Sequence, residues 1–189
     1  MKRETKGALM PLKVTVALAM LAAISIILGK FLQIPGGEVL RFSFENLPII
    51  FAGTVFGPVA GILVGVVADL VGCVMVGYTI NPIVTVGAAV IGGVSGICSL
   101  LLRRAARLPL AVKVGITVFL SHIIGSVVVK TFGLSQYYDM PFMILMLWRL
   151  LNYAIVGALE GGLLYILLRN KMIRGVLASF IGHTPEVKK

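Results

Sequence analysis

The chain has 189 residues, of which 59% are hydrophobic and only 13% charged, with a net charge of +10 and a mean hydropathy of +1.05. A soluble domain averages about 45–50% apolar and about 25% charged residues, so composition excludes an ordinary soluble protein and points to one compact integral membrane bundle. The basic residues are divided among short segments that flank apolar runs, which argues against a nucleic-acid-binding surface.

In chain order, the first apolar run covers residues 14–32, behind Lys2, Arg3, Lys6 and Lys13. It is too long for the core of a secretory signal and no small-residue cleavage site follows it, so a membrane helix is expected. Residues 42–76 come next, with Glu45 and Asp69 as their only charges. As one helix this stretch would be about 52 Å long, against a hydrocarbon core of about 30 Å. Two helices are therefore expected, at 42–57 and 58–76, broken at Gly57-Pro58, because proline donates no backbone hydrogen bond and favours a helix start. Further spans are expected at 82–102, 112–132 and 141–169, with residues 170–189 as a cytoplasmic tail.

Charge orders these spans. Thirteen of the 17 Lys and Arg residues fall in the N-terminus, around the 103–113 loop, or in the C-terminal tail. The positive-inside rule puts all three on the cytoplasmic side. An even number of crossings then separates the N-terminus from the loop, as the hairpin at Gly57-Pro58 requires. The expected fold is all-α: six transmembrane helices in one bundle, one membrane domain, both termini cytoplasmic. Lys30, Arg41 and Lys130 fall near the opposite ends, and Arg149 lies inside a span.

Gly57, Gly61 and Gly65 recur every fourth residue with Asp69 next in the series, a spacing that lets helix backbones approach closely. Gly92/Gly96, Gly157/Gly161 and Ala19/Ala23 form similar stripes. Asp69 is expected about 10 Å below the outer end of its helix, and Arg149 about 12 Å below the outer end of the last. Ionisable groups inside a bilayer are costly unless paired or wet, so Asp69 and Arg149 either touch a ligand or pair with each other. Asn152 shares the face of Arg149, and Glu45 and Asn46 open the second helix. Asn81 precedes the fourth, and His122 sits on the fifth. Glu160 lies much deeper and suits a structural or coupling role.

Other chemistry is sparse. Cys73 and Cys98 are isolated, and His122 and His183 lack metal-ligand spacing, so neither a metal nor a cofactor is expected. No GxxxxGK[ST] motif is present to cradle ATP. "GVSG" at residues 93–96 matches the GxSG of rhomboid proteases, but the last helix has no histidine to serve Ser95 as a base.

Two segments, "LRFSFENLPIIFAGTVFGPVAGILVGVVADLVG" at residues 40–72 and "GYTINPIVTVGAAVIGGVSG" at 77–96, resemble the substrate-binding S components of energy-coupling factor (ECF) transporters, most closely the folate-specific branch. The R-x-S-F-x-x-x-P pattern at Arg41–Pro48, G-x-x-F-G-P-x-x-G at Gly53–Gly61, G-x-x-x-D at Gly65–Asp69 and N-P-x-x-T at Asn81–Thr85 carry the likeness. "WRLLNYAIVGALEGGLLY" at 148–165 resembles that branch's last helix. The resemblance implies a membrane subunit that captures a vitamin from outside with high affinity. It then docks through the small residues of its first helix, here Ala19 and Ala23, on a membrane coupling protein driven by two cytoplasmic ATPases, and topples to release the vitamin. It also implies a prokaryotic plasma membrane. Folate fits the residues. Asp69 or Asn46 can hydrogen-bond the pterin edge, Arg41, Lys130 or Arg149 can pair with a carboxylate, and Trp148, Phe132, Tyr137 and Tyr138 can stack on the rings. The expected binding set is Arg41, Asn46, Asp69, Asn81, Trp148, Arg149 and Asn152. Pantothenate or a thiamine precursor are the alternatives within the family, and a structural membrane protein without a ligand is the alternative outside it.

Overall fold

The structure, a computed structural model, describes residues 10–35, 41–105 and 107–181. Helix α1 (Leu12–Ile26) runs on through a π turn at Ile27–Phe31. Two short strands, β1 (Ile34–Pro35) and β2 (Arg41–Phe42), then pair antiparallel, Ile34 opposite Phe42. Helices α2 (Asn46–Phe56), α3 (Pro58–Val76) and α4 (Pro82–Arg104) follow. Helix α5 (Leu110–Ser121), a π segment (His122–Lys130) and α6 (Thr131–Tyr138) form one long rod. Helix α7 (Phe142–Arg169) crosses back, and α8 (Lys171–Ile181) ends the described chain. Five of these rods are long and apolar enough to span a bilayer, and α2 is a shorter apolar helix.

The break between α2 and α3 falls at Gly57-Pro58. Gly57 has φ of +99°, a left-handed conformation that costs glycine nothing and disfavours any residue with a Cβ. Pro58 then occupies the first helical position of α3, where its missing N–H has no partner to lose.

Helices α2, α3 and α4 pack on bare backbone. A Cβ added at Gly61 would collide with the Gly92 carbonyl, one at Gly92 with the backbone of Gly61, and one at Gly96 with Pro58. Gly65 meets the Ala88 carbonyl, and Gly53 meets Gly92 and the Ser95 hydroxyl. Such contact substitutes for the hydrophobic drive that lipid removes. The Gly157/Gly161 stripe touches no backbone: a Cβ at Gly157 would press on the His122 ring at 3.2 Å, and nothing lies within 4 Å of one at Gly161. Outward faces carry exposed Val16, Met20, Val67, Val86, Ile97, Leu101 and Ile155, as expected of surfaces solvated by lipid.

The two ends of the bundle differ. The start of α1, the α2–α3 turn, the end of α4 and Phe180 of α8 surround one hollow at the lower end. There Ser99 and Arg103 both donate to the Thr54 carbonyl, at 2.8 and 3.3 Å. Both ends of the described chain thus share the basic end, which the positive-inside rule assigns to the cytoplasm. The segment expected to be helical at 42–57 opens instead with strand β2, and its helix has only 11 residues. By helical rise α2 is about 16 Å long, about half a hydrocarbon core. It therefore starts deep, and leaves the outer half of its lane open. The segment expected as a tail carries α8. Its Lys171 and Arg174 fall on one side and Met172, Ile173, Val176, Leu177 and Phe180 on the other, so it suits a membrane–water interface.

Candidate functional site

The space above α2 is a cavity of about 230 Å3 at the outer end. The π turn after α1 supplies Gly29 and Lys30, and the β2–α2 connection supplies Ser43 and Glu45. Asp69 and Cys73 come from α3, and Tyr78, Thr79 and Asn81 from the loop that follows. Lys130, Leu134 and Tyr137 come from the fifth rod, and Arg149 and Tyr153 from α7.

Both π segments bring a lysine to this wall. Such wide turns shift helical register and are frequent at functional sites. Lys130 donates to Glu45 Oε1 at 2.9 Å, joining the fifth rod to the start of α2, and Ser25 of α1 donates to the Glu45 carbonyl at 2.6 Å. Lys30 lies over the Tyr78 ring, 5.7 Å from its centroid, a cation–π contact.

Asp69 and Arg149 both line the cavity but bond elsewhere. Thr85 donates its hydroxyl hydrogen to Asp69 Oδ2 at 2.6 Å. Arg149 donates from Nε to the Ser126 carbonyl at 3.2 Å and from Nη2 to the Tyr153 hydroxyl at 3.3 Å. Among the described residues the ion pairs are Glu45–Lys130 and His122–Glu160, so no carboxylate pairs with Arg149 or Lys30. The wall holds three cations against two carboxylates and carries a net positive charge.

Of the binding set expected from sequence, Asp69, Asn81 and Arg149 come together on the cavity wall. Asn81 caps α4 by accepting from the N–H of Ile83 at 3.0 Å, and donates to the Gly133 carbonyl at 3.0 Å. Asn46 and Asn152 are buried without lining the cavity, and Trp148 is 56% exposed on the outer surface of the bundle. Trp148 precedes Arg149, and one helical step turns a side chain by about 100°, so the two cannot share a face. Phe132 is likewise exposed. Arg41 lies in β2, but its side chain, like that of Tyr138, lies outside the described residues. Ala19 and Ala23 are exposed along the outer face of α1. Ser95 is fully buried and donates to the Gly92 carbonyl at 2.8 Å, a helix-packing role. Sequence reasoning left Lys30, Tyr78 and Tyr153 out of the site. For Lys30 a signal existed: it is a cation at the wrong end of a membrane helix.

A cavity at one end of a bundle of membrane helices, lined by charged side chains and tyrosines, is the architecture a membrane binding subunit requires. The model of the family described as ECF transporter, substrate-specific component, matches residues 13–183. The chain belongs to that family: it is a multi-pass plasma-membrane protein that serves transport as a binding subunit and is not an enzyme. Members bind vitamins and work with the ECF module. No curated protein sequence matches. Among solved structures, FolT bound with folic acid is 21% identical with a TM-score of 0.65, covering 83% of this chain and 93% of that one. The S component for biotin from an ECF-type ABC transporter is 18% identical with a TM-score of 0.62, covering 90% and 95%. At these identities the likeness establishes the fold.

Proposed function

We propose that this chain captures folate. The observation that carries the reading is the separation of charge in the cavity: Asp69, held by Thr85, against Lys30 and Arg149, neither of which has a carboxylate partner among the described residues. Folate matches this division. Its pterin edge presents N–H donors to a carboxylate, and its glutamate tail presents two carboxylates to cations. Tyr78, Tyr137 and Tyr153 on the wall can stack on its rings. The fold is shared with the solved folic-acid complex and equally with the biotin S component, so the reading rests on the cavity charges.

The captured vitamin is handed to a membrane coupling protein driven by two cytoplasmic ATPases. The chain docks on it through the outer face of α1, where Ala19 and Ala23 leave a shallow strip among Val16, Met20 and Ile24.

A thermal-shift screen of the purified chain against folate, biotin, pantothenate and a thiamine precursor tests the ligand, because a tight ligand raises stability by mass action. Folate at about 100 times its Kd stabilises by about 2.7 kcal/mol. A shift with another vitamin and none with folate overturns the assignment.

A further inference from the structure

Beneath the cavity the bundle buries two ionisable side chains that do not line it. Glu160 is fully buried and His122 is 3% exposed, with His122 Nε2 2.6 Å from Glu160 Oε2. From His122 two routes lead back to Arg149. Its Nδ1 is 3.3 Å from the Ser126 hydroxyl, and the Ser126 carbonyl accepts from Arg149 Nε at 3.2 Å. Its ring also stacks on Tyr153 at 4.8 Å and 26°, and the Tyr153 hydroxyl accepts from Arg149 Nη2 at 3.3 Å. Arg149, Tyr153 and Glu160 belong to α7, and His122 and Ser126 to the π segment, so the circuit closes across two rods.

Tyr153 also borders a lateral hollow of about 480 Å3 between α5 and α7, lined by Gly115, Gly157 and Gly161. The Tyr153 ring stacks on the imidazole of His122, which in turn bonds Glu160.

We propose that His122 and Glu160 are positioning residues of the ligand site: through Tyr153 and Ser126 they fix the Arg149 guanidinium so that its free donors meet an anionic group of the ligand. This rests on the reading of Arg149 as a carboxylate-binding residue. A guanidinium has five N–H donors in a rigid fork. Committing Nε and one Nη2 hydrogen to protein acceptors sets the plane of the fork before the ligand arrives, and binding then orders less of the side chain. A role limited to packing would act on every ligand alike, whereas positioning acts only on the charged group that Arg149 meets.

The test uses the full-length chain in detergent, with folic acid and its uncharged α,γ-diamide as probes. By calorimetry, His122→Asn and Glu160→Gln each weaken folic acid about tenfold, the scale of one hydrogen bond, and leave the diamide within about twofold. In an Arg149→Gln background both changes lose their effect. Equal losses for the two probes, or losses that persist without Arg149, overturn the proposal. A second measurement needs no ligand: hydrogen exchange at Arg149 Nε–H, followed by NMR, becomes at least about tenfold faster in Glu160→Gln. Unchanged exchange overturns the proposal. If the wild-type chain binds no folic acid, the folate reading falls, while the exchange rates still decide the positioning role. Should Glu160→Gln fail to fold, His122→Asn carries both measurements.

Discussion

A lysine or arginine near the outer end of a membrane helix runs against the positive-inside rule. Four such cations stand in this chain: Lys30, Arg41, Lys130 and Arg149. Three of them line the cavity, because burying a cation there is tolerated only where carboxylates, aromatic faces or a ligand offset the lost hydration. Arg149→Ala removes a bidentate partner for a carboxylate, and folate affinity measured by calorimetry is expected to fall about 100-fold. Unchanged affinity would remove Arg149 from the site. The Glu45–Lys130 pair has a different role. Glu45→Gln leaves Lys130, 4% exposed, as an uncompensated buried charge. Thermal unfolding should report a loss of about 3 kcal/mol. The double change Glu45→Gln/Lys130→Met should restore part of it, and a double variant less stable than Glu45→Gln would refute this account of the pair.

At the scale of elements, small residues at fourfold spacing are not equivalent. Gly61 and Gly92 touch backbone to backbone, whereas Gly161 faces the lateral hollow. Gly92→Val must push α3 away from α4 and should cost more than about 3 kcal/mol, with loss of folded yield in detergent. Gly161→Val should stay within about 1 kcal/mol of wild type, since helix propensity changes little and no atom is displaced. Equal tolerance of the two substitutions would contradict the packing described. The stripes were legible in the sequence, but spacing alone cannot say which stripe meets a neighbour. Nor could the two π segments be read, since a widened turn has no sequence signature apart from the helices that press on it. They alter the facing of Lys30 and Lys130, which periodicity based on a uniform helix places poorly.

At the scale of the whole molecule, the surfaces proposed for capture and for delivery are separate. The cavity opens at the outer end, while Ala19 and Ala23 lie on the outer face of α1, away from its walls. Ala19→Leu/Ala23→Leu should therefore leave folate affinity within about twofold and abolish folate uptake by cells that carry the coupling protein and ATPases, since bulk at a small-residue interface prevents close helix approach. Full uptake by this variant would place docking elsewhere.

The all-helical membrane fold, five of its long apolar spans and the break at Gly57-Pro58 were legible in the sequence alone, as was the expectation that the basic loops face the cytoplasm. Each depends on local quantities: the length of an apolar run, the φ of one residue, the count of nearby charges. Only the tertiary structure decided that Glu45 pairs with Lys130 across 85 residues, that Asp69 bonds Thr85 instead of Arg149, and that Trp148 faces outward. Partner choice inside a bilayer depends on which helices adjoin and at what register. That is settled by backbone contact among α2, α3 and α4 and by the shortness of α2, neither of which is written in any single segment.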